Sequence, residues 1–212
     1  MSARLDALLL LLTFAAGAVD AVAFLALDVL TAVMTGNLVL LGVAAGRGAT
    51  TSALRSLGAL AAYASGVIVG ARVAGRGPEA LASPRIVRAL AAQAGLQAVF
   101  LAVWLAAGTD ASGAAAAPLI ATSGVVMGMQ AATVQALGSR ISTTYVTGML
   151  TTLLADLSAL TGLGRDTERH LAAVLSLLAG ALVGALVLVN VREAAPVVPL
   201  VVFIAAVALA RR

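Results

Sequence analysis

Residues 5–27 read LDALLLLLTFAAGAVDAVAFLAL, and Met34-Thr35-Gly36-Asn37 follows after a short break. A membrane-crossing helix needs about 20 apolar residues to traverse roughly 30 Å of hydrocarbon. This run is long enough, and Asp20 is the one charge in its interior. It is rich in Ala and Leu and lacks the alternating apolar–polar pattern of a barrel strand, so helix is the state it predicts. Its start imitates a secretory signal: Arg4 precedes Leu8–Leu12, and Ala15–Gly17 are small. The apolar character continues past Asp20 to Leu27, which reads as an uncleaved first span.

Outward from this run the rest of the chain has the same character. Eight apolar stretches occur: Leu5–Leu27, Thr31–Gly46, Ser52–Ala74, Ile86–Gly108, Ala114–Leu137, Ser142–Leu163, His170–Asn190 and Ala194–Ala210. The 212 residues are 62% hydrophobic and 10% charged, with a mean hydropathy of +1.09. A soluble domain is about 45–50% apolar and about 25% charged. The composition therefore points to one all-α polytopic membrane domain over residues 1–212, embedded in a lipid bilayer. It argues against a soluble enzyme, a disordered chain or a nucleic-acid binder. The formal charge of +4 comes from 13 arginines set against 9 acids, with no lysine. The chain has no cysteine and one histidine, His170. That leaves no disulfide, no thiol nucleophile and no ordinary zinc site. Protease and nucleotide-binding motifs are also missing, so neither an enzyme nor a cofactor is expected.

The chain reads as a duplication. Met34-Thr35-Gly36-Asn37 in the second stretch matches Val146-Thr147-Gly148-Met149 in the sixth, 112 residues later. Gly66 and Gly70 in the third match Gly180 and Gly184 in the seventh at a spacing of 114, which also brings Arg55 onto Arg169. Gly17 falls on Gly128 at a spacing of 111. Repeat 1 then covers about 5–108 and repeat 2 about 114–210. Low-complexity Ala/Gly/Leu sequence aligning with itself is the competing explanation.

Arginine placement bears on topology, because cytoplasmic loops carry the excess of positive charge. If all eight stretches cross, seven arginines lie inside and six outside, which is no bias. If the second and sixth stretches enter and leave on one side, ten lie inside and three outside. The second arrangement obeys the rule and suits a stretch broken by Gly36 and Asn37. It gives about six full spans plus two short or re-entrant helices, in two halves that are inverted repeats. Eight complete helices is the alternative. The N-terminus is expected on the cytoplasmic side.

The run Phe14-Ala15-Ala16-Gly17-Ala18-Val19-Asp20-Ala21-Val22-Ala23-Phe24-Leu25, followed by Met34-Thr35-Gly36-Asn37, resembles the signature of the YoaK-like family. These are bacterial inner-membrane proteins defined by domain of unknown function 1275. The resemblance covers the whole chain in length and hydropathy. Val29-Leu30-Thr31-Ala32-Val33 departs from it, since an aromatic residue is expected there. The resemblance implies a compact multi-span protein of the bacterial cytoplasmic membrane, with no established substrate.

The scarce polar residues are the candidates for chemistry. A charge at the bilayer centre costs at least about 2.5–3.5 kcal/mol, a cost seldom met without a partner or a water-filled site. Asp20 is therefore read either as a coupling or binding carboxylate or as a protonated or helix-capping residue near the outer interface. Thr35, Gly36 and Asn37 would break a helix, as would Thr147 and Gly148 in the other half. Such a break either contacts a solute through freed backbone groups or packs closely on a neighbour. Gln130 lies near the position equivalent to Asp20 and would line the same cavity or make an ordinary interhelical hydrogen bond. The Gly66/Gly70 and Gly180/Gly184 pairs read as packing contacts, within the chain or across a homodimer. Asp20, Thr35, Gly36, Asn37, Gln130, Thr147 and Gly148 thus form a candidate site between the repeats for a small solute or ion. The expectation is a small secondary transporter, with alternating access by rocking one repeat against the other. A non-transporting scaffold or accessory subunit is the alternative: its polar groups would be satisfied in a dry core.

Overall fold

A computed structural model describes residues 3–75, 77–108, 111–138, 146–158 and 164–212. Among these residues the regular elements are all helices: α1 (Ala3–Leu27), α2 (Met34–Gly46), α3 (Thr50–Ala74), α4 (Pro84–Ala107), α5 (Ala116–Ala136), α6 (Val146–Ser158), α7 (Arg165–Asn190) and α8 (Val197–Arg211). A 3-10 turn at Arg192–Ala194 leads into α8. Six helical segments are long and apolar enough to cross a bilayer: α1, α3, α4, α5, α7, and Arg192–Arg211, in which the 3-10 turn runs on into α8. The short ones, α2 and α6, have 13 residues each. At 1.5 Å per residue that is about 20 Å, well below the roughly 30 Å of a hydrocarbon core.

Local chemistry sets the ends. Ser83 caps α4, its hydroxyl accepting from the Arg85 amide at 3.3 Å, and Pro84 occupies the first helical position. A proline there loses nothing, because its missing N–H would have had no helical partner. After α1 the chain reverses at Asp28, a non-glycine residue at φ 60°. Thr31, Ala32 and Val33 then lie level with Asp20 and donate to its carboxylate. Asp20 is seven residues before the end of α1, so this loop dips about 10 Å back along the helix. From there α2 returns to the level of the α1 end, where Arg55 near the start of α3 donates to the Leu27 carbonyl at 3.3 Å. Both ends of the Leu30–Gly46 excursion therefore lie toward the same end of the bundle.

Helix directions follow from long-range contacts. Asp6 meets Arg169 and Gly17 meets Leu177 and Ala181, so α1 and α7 run parallel. Gly66 meets Val125 and Gly70 meets Met129, so α3 and α5 also run parallel. Leu12 accepts from Gln130, while Thr31 just beyond α1 meets Ser123, so α1 and α5 are antiparallel.

The close crossings repeat residue for residue. A Cβ on Gly17 would strike the Leu177 carbonyl oxygen and reach within 2.9 Å of the Ala181 nitrogen. One on Gly128 would strike the Tyr63 carbonyl oxygen and reach within 2.8 Å of the Val67 nitrogen. Adding 111 to Gly17, and taking 114 from Leu177 and Ala181, turns the first contact into the second. Gly180 against Phe14 and Gly66 against Val125 obey the same rule, as do Gly184 against Ala18 and Gly70 against Met129. Each glycine lets a backbone approach that a methyl group would block, which is how membrane helices pack without a hydrophobic drive between them. These glycine pairs are thus packing contacts within the chain.

Burial has the same pattern. In α1 and in α5, 67% of the apolar window is buried, against 28% in α3 and 22% in α7. The first helix of each half is therefore central and the third peripheral. On α7, Leu171, Leu175, Leu178, Leu182 and Leu186 form an exposed stripe at helical spacing. A stripe of this size is unsuited to water and suits lipid. At one end of the bundle Trp104 stacks on Phe100, donates to the Arg192 carbonyl at 3.1 Å and lies under the Arg192 guanidinium, tying α4 to the α7–α8 corner.

Candidate functional site

The polar centre forms where the reversed loop meets α1, α2 and α5. Asp20 Oδ1 accepts from the amides of Thr31 at 2.6 Å and Ala32 at 2.7 Å, and Oδ2 from that of Val33 at 3.0 Å. Three consecutive N–H groups thus converge on one carboxylate, an arrangement that concentrates positive partial charge. They sit just before the first turn of α2, whose dipole also favours a negative group there. The Thr31 hydroxyl is 3.5 Å from Asp20 Oδ1 and shares a 2.8 Å hydrogen bond with the Ser123 hydroxyl of α5. Asn37 locks the loop from the other side: its Oδ1 accepts from the Leu30 amide at 3.0 Å, and its Nδ2 donates to the Leu30 carbonyl. A side-chain amide used in both directions replaces a backbone pair that a reversed loop cannot make for itself.

Of the residues expected at a site, Asp20 and Asn37 are therefore together and buried, both bonded to the loop. Gly36 lies against the tip of the Leu30 side chain, and Thr35 is exposed. Gln130 is elsewhere: its Nε2 donates to the Leu12 carbonyl at 3.0 Å, eight residues before Asp20 and about 12 Å along α1. Gly148 is in α6, which packs on α7. The Thr147 side chain lies outside the described residues, as does that of Asp156. A second polar contact joins α4 to α5, where Gln93 donates to the Thr133 hydroxyl at 3.0 Å.

Three cavities are described, of about 650, 340 and 40 Å³. The largest is an apolar groove between α1, α7 and α8. Asp20, Thr35, Gly36, Asn37, Gln130 and Gly148 line none of the three. Asp20 and Asn37 together latch the loop of residues 30–33, and this latch is a satisfied polar cluster among apolar helices.

Thr31, Ser123 and Arg55 are the polar residues sequence reasoning passed over as site members. Nothing local in the sequence marks Thr31 or Ser123, because they meet across 92 positions. Arg55 was signalled by its alignment with Arg169.

The family described as "Protein of unknown function (DUF1275)" matches residues 8–210. The chain belongs to this family. Within the DUF1275 family it is similar to the UPF0700 transmembrane protein YoaK of Bacillus subtilis (strain 168), at 36% identity over 155 residues, covering 72% of this chain and 67% of that protein. No solved structure matches the chain. The DUF1275 match begins before Asp20 and ends after α7, so the latch and both glycine crossings lie inside it. It agrees with the resemblance carried by Asp20 and Met34-Thr35-Gly36-Asn37. With six apolar helices, it makes this a multi-pass membrane protein in contact with lipid.

Proposed function

We propose that the chain is a small permease-like carrier of the bacterial cytoplasmic membrane, built from two inverted halves with the N-terminus cytoplasmic. The observation that carries this reading is the exchange of partners between the halves. α1 packs on α7 of the other half, and α5 on α3, through residue-equivalent glycine contacts. Inverted halves with an interrupted helix near mid-depth are a recurrent plan of secondary transporters. In this reading α1 with α7 and α3 with α5 are two rigid units. The reversed loop and α2 sit where those units meet, since Thr31 joins Asp20 of α1 to Ser123 of α5. Asp20 serves first as the latch of that loop, and a solute path opens when the loop amides leave it. Two chains form a homodimer only as a further option of this plan, and no catalytic step belongs to it.

The scaffold reading keeps one specific observation in its favour: both Asp20 oxygens are already taken, in a cluster that lines none of the described cavities. Uptake by purified protein in liposomes separates the two. A panel of sugars, amino acids and short carboxylates is offered to the wild type and to Asp20→Asn. Saturable uptake of one solute class, altered by the substitution, supports the carrier. Uptake equal to protein-free liposomes across the panel supports the scaffold.

A further inference from the structure

Two of the cavities occupy equivalent places. The smaller, of about 40 Å³, lies between α1 and α7 and is lined by Asp6, Leu9, Leu10, Arg169 and Ala172 among others. The larger, of about 340 Å³, lies between α3 and α5 and is lined by Arg55, Gly58, Ala117, Ile120 and Ala121 among others. The spacings of 111 and 114 that relate the glycine crossings carry Asp6 onto Ala117, Leu9 onto Ile120, Leu10 onto Ala121, Arg169 onto Arg55 and Ala172 onto Gly58. These are one cavity in two versions, and they differ in a single charge. In the α1–α7 version Arg169 closes on Asp6 at 3.1 Å, and little space is left. In the α3–α5 version the acid is replaced by Ala117, and the space stays open.

Arg55 keeps its charge in that open space with poor compensation. Its guanidinium donates to the carbonyls of Leu27 and Ser112 and lies 3.4 Å from Asp28 Oδ2 at the rim. The Asp28 side chain is 77% exposed whereas that of Arg55 is 19% exposed, so among the described residues the acid paired with Arg55 is one that solvent screens. None of the described residues lining the cavity is acidic. Thr51 and Ala117, in the first turns of α3 and α5, bring two positive helix ends to the same place. The rest of the lining is largely apolar, with Leu54, Ile120 and Ala121 forming a wall.

We infer that the α3–α5 cavity binds a short-chain monocarboxylate, whose carboxylate pairs with Arg55 in the place Asp6 fills in the sister cavity. Its aliphatic body lies on Leu54, Ile120 and Ala121. A guanidinium offers a carboxylate two parallel N–H donors, and a volume of about 340 Å³ is at the small end of ligand pockets. A neutral analogue adds no charge to that of the exposed Asp28 at the rim, and an inorganic anion leaves the apolar wall uncovered, so both are expected to bind more weakly. This inference concerns binding and stands apart from transport.

The test uses the full chain in nanodiscs of zwitterionic lipid, with radiolabelled hexanoate followed by equilibrium dialysis. Saturable hexanoate binding is expected, with weaker competition from hexanamide and from inorganic phosphate. Ala117→Asp installs the missing internal acid and is expected to weaken binding at least tenfold, with the unfolding midpoint kept or raised. Arg55→Gln is expected to weaken it to a similar degree. Absence of saturable binding by the wild type overturns the inference. So does equal competition by hexanamide or by phosphate, or an Ala117→Asp protein that binds like the wild type. Hexanoate binding with no uptake of any solute in the panel leaves this site in place and removes the carrier reading. Uptake of another solute without hexanoate binding does the reverse.

Discussion

At the scale of single residues, Asp20 carries a structural task that its position alone does not reveal. Both oxygens are committed to Thr31, Ala32 and Val33. A buried donor deprived of its acceptor costs about 1–3 kcal/mol. Asp20→Ala is therefore expected to lower stability by about 3 kcal/mol in detergent unfolding, and to speed amide exchange selectively in residues 28–33. Unchanged exchange in that segment would show that the latch does not hold the loop. Asn37→Ala is expected to release the same loop through Leu30, with a smaller loss. The Asp6–Arg169 pair is a contrasting case. Both side chains are 27% exposed, so a double-mutant cycle is expected to give no more than about 1 kcal/mol. Asp20 and Asn37 were legible in the sequence as polar residues that need a reason. Their partners were not, because those partners are backbone amides of a loop that reverses direction, and hydropathy does not record a reversal.

At the scale of helices, the glycines divide into two kinds. A side chain at Gly128 collides with backbone atoms of Tyr63 and Val67, whereas one at Gly36 collides with the flexible tip of Leu30. Overpacking against fixed atoms costs about 1–3 kcal/mol or more. Gly128→Val and its counterpart Gly17→Val are expected to lower the unfolding midpoint to a similar degree, while Gly36→Ala changes it little. A tolerated Gly128→Val would contradict the close crossing of α3 and α5. The stretch read as Thr31–Gly46 is helical from Met34. Its first three residues are loop because their amides go to Asp20. The stretch read as Ser142–Leu163 is helical over Val146–Ser158, and its remaining residues lie outside the described ones. The six long helices follow the sequence reading closely, because length and apolar character suffice to define a span.

At the scale of the whole molecule, the glycine spacings were visible in the sequence, but which helix each glycine touches was not. Gly17 and Gly128 look like a simple repeat until the structure shows that each packs on the third helix of the other half. That exchange makes α1 and α5 the buried centre and leaves α3 and α7 to face lipid. It also explains why the open cavity at Arg55 escapes a reading along the chain. Arg55 aligns with Arg169, yet the missing acid at Ala117 matters only once α3 is known to pack on α5.

In the proposed topology α2 enters and leaves on one side, between two halves that run in opposite directions. The chain has no native cysteine, so single cysteines report sidedness cleanly. Cysteines placed at Asp28, Arg47, Pro78 and Glu193, all exposed outside the helices or at their ends, are labelled in intact cells with a membrane-impermeant maleimide. Labelling of Asp28, Arg47 and Glu193 from the outside, with Pro78 protected until the cells are opened, is the predicted result. Protection of Arg47 alongside labelling of Asp28 would mean that α2 crosses the membrane, and the account would fail.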